Sequence, residues 1–350
     1  MRSRTALRGC LIVITALILY PAGVAFAQAA PLAQAGAELE SQLKDSASKG
    51  LRWLAAQQNE RGRFVDANAT VKEDVALTAL SGLAMLASGS EPGKGEYGKP
   101  LQAVVAAVLA SQQPSGLFVQ GKAAGPMYGH GYATLFLAEA QRKHPDGAVR
   151  KALEKSVALL GESQNNEGGW RYQPKPLDAD VSVTACELNA LLAARAAGIA
   201  VDDKLVANAV AYIRRCQNPD GGFSYMAGQG VNSGFPRSAA GVAVLIHGGA
   251  VPAADAELRR GIQYLTRTLG AAVPKEGHYF YGRYYASQWL SADPAASRER
   301  RDALARELLD AQQRDGSWKE DSFSPVYSTA SALIILQAPQ KQLWIFGAAH

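Results

Sequence analysis

Two hydrophobic patterns alternate along the chain. The first is a stripe. In KALEKSVALL, Leu153, Val157 and Leu160 share one helical face, while Lys151, Glu154 and Lys155 share the other. RDALARELLDAQQ repeats the stripe with Leu304 and Leu308. Such spacing predicts a helix that lies on a core with one side in water. The second pattern lacks a polar face. ALTALSGLAMLASG, TACELNALLAARAAG, SAAGVAVLIHGG and STASALIILQ are apolar or small nearly all round. A helix of that kind is enclosed by protein on every side. Alternating β-branched runs are nearly absent and alanine is frequent, so the chain is expected to be all-α, with outer and inner helices in succession.

A short turn links each outer helix to the inner helix that follows. QNERGRF ends at Phe64, QQPSGLF at Phe118, QNNEGGW at Trp170, QNPDGGF at Phe223 and QQRDGSW at Trp318. Each reads Gln, three residues, Gly, one residue, aromatic. VPKEGHY, ending at Tyr279, keeps only the glycine and the aromatic. The aromatics recur roughly every 50 residues, with a shorter last interval, and such a period marks a repeat architecture. Glycine permits the sharp reversal. The aromatic is expected to plug the gap between adjacent pairs, and the glutamine amide to satisfy backbone groups at a helix end. Six pairs predict a closed double ring, an inner barrel jacketed by outer helices, without the exposed ends of an open solenoid.

The turn motif resembles the QW repeat of squalene cyclases and the related repeat of protein prenyltransferase β subunits. The resemblance covers nearly all of the chain beyond residue 27. It implies an (α/α)6 toroid with a central cavity. It is specific for the fold and not for an activity, since one fold hosts many functions.

Residues 1–27 read as a signal peptide, with Arg2, Arg4 and Arg8, an apolar core CLIVITALILY, and Ala25-Phe26-Ala27 as the cleavage site. If uncleaved, the segment would be an anchor. Residues 28–350 are expected to form one toroid domain of about six repeats, periplasmic or secreted, with no membrane span after signal cleavage. The formal charge of +5 falls to +2 without the three leader arginines, leaving 33 basic against 31 acidic groups. That balance, with no basic run, argues against a nucleic-acid partner. Cys186 and Cys216 permit one disulfide in an exported chain but make no disulfide scaffold.

Candidate chemistry gathers where inner helices begin, because their positive dipole ends converge on one mouth and favour polar or anionic groups. The residues expected there are Asp74, Tyr128, His130, Asp178, Asp180, Arg237, Tyr281, Arg283, Tyr284 and Tyr327. Asp180, His130 and Tyr284 are the candidate catalytic residues. Asp178, Tyr128, Arg237, Tyr281, Arg283 and Tyr327 are the candidate ligand-binding residues. Glu187 and Gln288, two turns in, are expected at the cavity floor. DADVSV falls where class II terpene cyclases carry D-x-D-D, and the resemblance matches Asp180 to their proton-donating aspartate. Val181 stands in place of the third aspartate, and those cyclases use two domains where this chain has the length for one. The plainer reading makes Asp180 a helix cap. No Asp/Cys/His set has the spacing of the prenyltransferase zinc site, so neither metal nor other cofactor is expected. An exported α/α barrel also suits polysaccharide lyase-like chemistry, with Arg237 or Arg283 neutralising a uronate and Tyr284 or His130 moving the proton. The third reading is a binding module for a small-molecule, lipid or glycan ligand, or for an exported protein partner. A deep aromatic pocket at Asp180 would favour the cyclase, an open Arg–Tyr–His cleft the lyase, and a filled barrel binding.

Overall fold

The structure is a computed structural model that describes residues 22–65, 74–120, 125–251, 254–269, 277–292, 298–320 and 323–347, with side chains from residue 36. The basic and apolar parts of the signal segment lie outside the described residues. The chain divides into two compact units, residues 1–42 and 43–350, and the second holds the toroid. Helix α1 spans Ala22–Ala56. No helix among the described residues is long and apolar enough to cross a membrane.

Inner helices α2 (Val75–Ala87), α4 (Met127–Lys143), α6 (Val181–Ala196), α8 (Phe235–His247), α10 (Tyr279–Ala292) and α12 (Pro325–Leu336) pack side by side in that order, and α12 returns to α2. The barrel is therefore closed. Outer helices α3 (Gly98–Leu109), α5 (Gly147–Ser163), α7 (Asp203–Arg215), α9 (Ala256–Leu269) and α11 (Arg298–Ala311) lie against them. Nearly every residue of α2, α6, α8 and α12 is buried, whereas α9 and α11 bury only a few leucines and a glycine. The two patterns of the sequence are the two rings.

The turn motif stitches the rings together. The amide of each motif glutamine donates twice. Gln58, Gln112, Gln164, Gln217 and Gln312 bond the carbonyl of their own turn glycine at 2.9–3.2 Å. Their second bond goes to the next outer helix, at Pro100 O, Ala152 O, Leu205 O and Glu257 O. Gln312 reaches Ser46 O of α1 at 3.0 Å and so ties the last turn to the first outer helix. The aromatic that follows is buried, and its backbone N–H is claimed by an inner-helix side chain: Thr78 for Phe64, Thr184 for Trp170, Ser238 for Phe223 and Thr329 for Trp318.

In the second repeat that acceptor is His130. Its Nδ1 accepts from Phe118 N at 3.2 Å and its Nε2 lies 3.3 Å from Ser156 Oγ. Burial lowers its pKa to about 4, so the ring is neutral near pH 7. His130→Thr should therefore melt closer to the wild type than His130→Ala. Alanine would leave a buried N–H unpaired, a loss of roughly 1–3 kcal/mol. Equal melting temperatures for the two variants would remove this structural role.

The fifth repeat, whose motif is degenerate, is held differently. The Glu320 carboxylate accepts from Tyr279 N at 2.7 Å and Phe280 N at 3.3 Å, capping α10 from the next turn. Arg283, buried between the rings of Phe235 and Tyr279, pairs with Glu307 of α11 at 2.9 Å.

The chain then closes the barrel end formed by the inner-helix C-termini. A 3-10 turn at Ala338–Gln340 ends on Lys341 in the left-handed conformation (φ 50°), and α13 (Trp344–Gly347) packs on α6 and α10. Trp344 lies against His247, with ring centroids 5.2 Å apart, and its backbone N–H donates to Glu139 Oε1 at 2.7 Å. Burial pushes Glu139 up to about 7, against the lowering effect of Arg142 and the Trp344 N–H.

Candidate functional site

The opposite end, where the inner helices begin, holds the candidate site. Asp180 is the N-cap of α6: its Oδ1 accepts from Ser182 N at 2.8 Å and Val183 N at 2.9 Å. The backbone fixes this position, since Asp180 N donates to Trp170 O and Val181 N to Tyr225 O. Oδ2 faces Arg171, 3.6 Å from its Nε. Burial raises the carboxyl above its ordinary range, while the cap bonds and Arg171 pull it back.

Around Asp180 a small cluster forms. Arg171 pairs with Asp178 and lies over the rings of Tyr172 and Tyr225, at 5.4 and 5.7 Å. The hydroxyls of those two tyrosines bond each other. Tyr128 lies 6.1 Å from Tyr172, centroid to centroid. From across the barrel, Tyr281 Oη donates to Ser182 O at 3.4 Å. The rim loops expose apolar tips: Leu177 is 99% exposed, Val231 70% and Tyr172 39%.

Of the expected site residues, then, Tyr128, Asp178, Asp180 and Tyr281 meet at this rim. Four others are placed differently. Arg237 is committed to its own loop, donating to Phe223 O, Asn232 O and Asn232 Oδ1. Arg283 is committed to Glu307. His130 holds the Phe118 turn. Tyr284 lies inside the barrel, edge-on to Tyr132 and Tyr285. The open Arg–Tyr–His cleft expected of a lyase is thus not assembled from these residues. Tyr327 packs on Phe323, with centroids 5.1 Å apart, and Asp74 caps α2.

Arg171, Tyr172 and Tyr225 are not among the residues the sequence singles out, although it carries a signal for them. Tyr172 and Tyr225 each stand two residues after the motif aromatic, in GGWRY and GGFSY. Glu320, which caps α10, holds the same position after Trp318.

Below the rim the barrel axis is packed. Tyr132, Tyr284, Tyr285 and Cys186 keep no more than 6% of their surface. Asn189 donates to Gln288 across the barrel at 3.0 Å and meets His247 Nδ1 at 2.9 Å. Gln288 is thus in the interior, packed against Asn189 where the sequence suggests a cavity floor. Glu187 is fully buried, neither carboxyl oxygen makes a hydrogen bond, and burial holds it well above the usual carboxylate range. Gly131 of α4 makes the room, since a Cβ there would lie 2.8 Å from Glu187 Oε2. Cys186 and Cys216 are both buried and free. Among the described residues no group of three or more His, Cys, Asp or Glu is placed to hold a metal ion.

A family model described as the prenyltransferase alpha-alpha toroid domain matches residues 36–283. No curated protein matches. Among solved structures, apo type II terpene cyclase MstE from Scytonema aligns with a TM-score of 0.59 at 16% identity, covering 87% of this chain and 100% of that one. Cellobiose 2-epimerase from Spirochaeta thermophila aligns at 0.64 and 13% identity, covering 89% and 97%. A GH76 α-mannanase from Bacteroides thetaiotaomicron aligns at 0.63 and 9% identity, covering 85% and 96%. At these identities the likeness is one of fold. The closed ring of inner helices, the repeated turn and the match over most of the chain establish that this protein belongs to the prenyltransferase alpha-alpha toroid family.

Proposed function

We propose that this chain is an exported toroid that binds a glycan at the inner-helix N-terminal rim without transforming it. The observation that carries the reading is the packed interior: Tyr132 of α4 meets Tyr284 of α10 edge-on at 6.3 Å, Tyr285 packs beside them, and all three are buried, which leaves little room for an enclosed substrate there. The rim supplies what a sugar ring needs, a partly exposed aromatic ring at Tyr172 beside the fixed donors and acceptors of Arg171 and Asp178. The basic and apolar first residues, read as a leader, support export, and exported proteins meet polysaccharides. Asp180 serves as a cap that holds the rim in place.

The test pairs binding with turnover. Titration calorimetry with neutral and uronic oligosaccharides should show binding that Tyr172→Ala weakens about tenfold or more, or roughly 1.4 kcal/mol. Asp180→Asn should leave affinity and melting nearly unchanged, because asparagine caps about as well as aspartate. Squalene, a geranylgeranyl-bearing aromatic and a polyuronate should yield no product. A cyclised product lost in Asp180→Asn would install the cyclase reading, since an amide cannot deliver the proton. Failure to bind any oligosaccharide would also end the proposal.

A further inference from the structure

The far end of the barrel is covered by a segment that depends on its seat. Residues 341–347 turn back over the inner-helix C-termini, and α13 is only four residues long. A helix that short is not stable by itself, so it is ordered by what it touches. Leu343, Ile345 and Phe346 are buried, and the Trp344 ring lies against His247. His247 bonds Asn189, which bonds Gln288, so the segment covers a polar chain in the interior. An acid lies in this seam. Glu139, near the end of α4, is fully buried, accepts from the Trp344 backbone N–H and lies 3.5 Å from Arg142 Nε. At the edge, Lys143 Nζ donates to Gln342 Oε1 at 2.8 Å.

We infer that residues 341–347 form a proton-gated plug, seated at low pH and released as pH rises, with Glu139 as the group that binds the proton. While the plug is seated, Glu139 is out of water, and burying its charge is costly. A protonated carboxyl avoids that cost and keeps an oxygen that accepts from the Trp344 N–H. Once the plug lifts, the carboxyl is wet and ionises in its ordinary range. Burial is the largest cause of the shift and sets the seated pKa at about 7, above the ordinary 4.5, against Arg142 and the Trp344 and Ile345 N–H groups. Seating therefore takes up a proton. Its contribution is complete below 4.5 and is lost as pH rises through about 7. Among the described residues, α4 itself adds Lys143, which also feels Glu91, and α8 adds His247 beneath Trp344. On α10, burial keeps the Tyr284 hydroxyl protonated. On α6, Cys186 and Glu187 lie against Gly131, farther up α4, and Arg195 pairs with Asp203. Helix α2 has no titratable side chain, and the charged residues of α5 are exposed. The plug is at the opposite end from the rim and does not depend on the glycan reading.

The test is hydrogen exchange of the full chain between about pH 5 and pH 9, read as protection factors of the 341–347 amides, which divide out the intrinsic pH dependence of exchange. Wild type should lose up to about tenfold in protection per pH unit and level off above about pH 7. Glu139→Gln keeps an acceptor for the Trp344 N–H without the charge, so its protection should stay at the acid value throughout. Arg142→Gln removes a cation that holds the Glu139 pKa down, and it should move the fall to higher pH. Glu187→Gln and deletion of residues 348–350 should each leave the fall in place. Wild-type protection that is flat with pH, a fall that survives in Glu139→Gln, one unmoved in Arg142→Gln, or one lost in either control would overturn the assignment.

Discussion

Trp170→Ala is expected to lower stability by about 3–5 kcal/mol, the range for truncating a buried large aromatic. Trp170 has no exposed surface, and it does more than fill space. Its Nε1 donates to Leu160 O at 3.0 Å, at the end of α5. Its backbone N–H is held by Thr184 of α6 at 3.1 Å, and its carbonyl accepts from Asp180 N. One residue therefore joins an outer helix, an inner helix and the N-cap at the rim. Alanine would leave a cavity and remove the donor to the Leu160 carbonyl. Trp170→Phe separates the two effects, since it restores most of the volume without the N–H. The measurement is urea unfolding of wild type, Trp170→Phe and Trp170→Ala, with the phenylalanine variant expected between the other two. An alanine variant that unfolds at the wild-type midpoint would show that Trp170 is not a packed plug.

Gly221→Ala is the second large effect expected. Two penalties combine at this position. Gly221 sits at φ +91°, where an L side chain is strained by about 1–2 kcal/mol. A Cβ would also fall 2.3 Å from Arg260 O, a backbone atom of α9 that cannot move without the helix. Forcing extra volume into a packed contact adds about 1–3 kcal/mol. Gly228 provides the control within the same region. Its φ is +76°, but nothing lies within 4 Å of the added Cβ. Gly228→Ala should show the conformational penalty alone, and Gly221→Ala should exceed it by the steric term. Equal unfolding midpoints would mean that α9 is not seated tightly on this turn. The same approach recurs at Gly62, Gly116, Gly168 and Gly316, each with positive φ and a neighbouring outer-helix carbonyl within 3 Å of the added carbon.

The rings, the turns and the caps were legible because their causes are local. A stripe at Leu153, Val157 and Leu160 sets the buried face of α5 without reference to any other residue. Asp180 caps α6 through N–H groups two and three residues on, and its role follows from that spacing. The repeat made even closure legible, since six outer–inner pairs predict a ring, and the bond from Gln312 to Ser46 O is how the structure closes it.

Side-chain allegiance at the mouth was not legible. Arg237 and Arg283 begin inner helices as expected, yet one turns back to its own loop and the other to α11. Position along a helix puts a residue near the mouth, but the nearest acceptor decides whether its charge stays available. The barrel's interior was equally out of reach. Asn189 meets Gln288 only because the ring brings α6 and α10, on either side of α8, to one interior, although the two residues are 99 apart in the chain. The closing of the far end by Trp344 arises where the final segment folds back on α6 and α10. Sequence periodicity by itself determined the fold, since burial repeats with the helix and the turn with the ring. Tertiary structure alone decided which polar groups stay open to a ligand, because hydrogen-bond partners are chosen by distance in space.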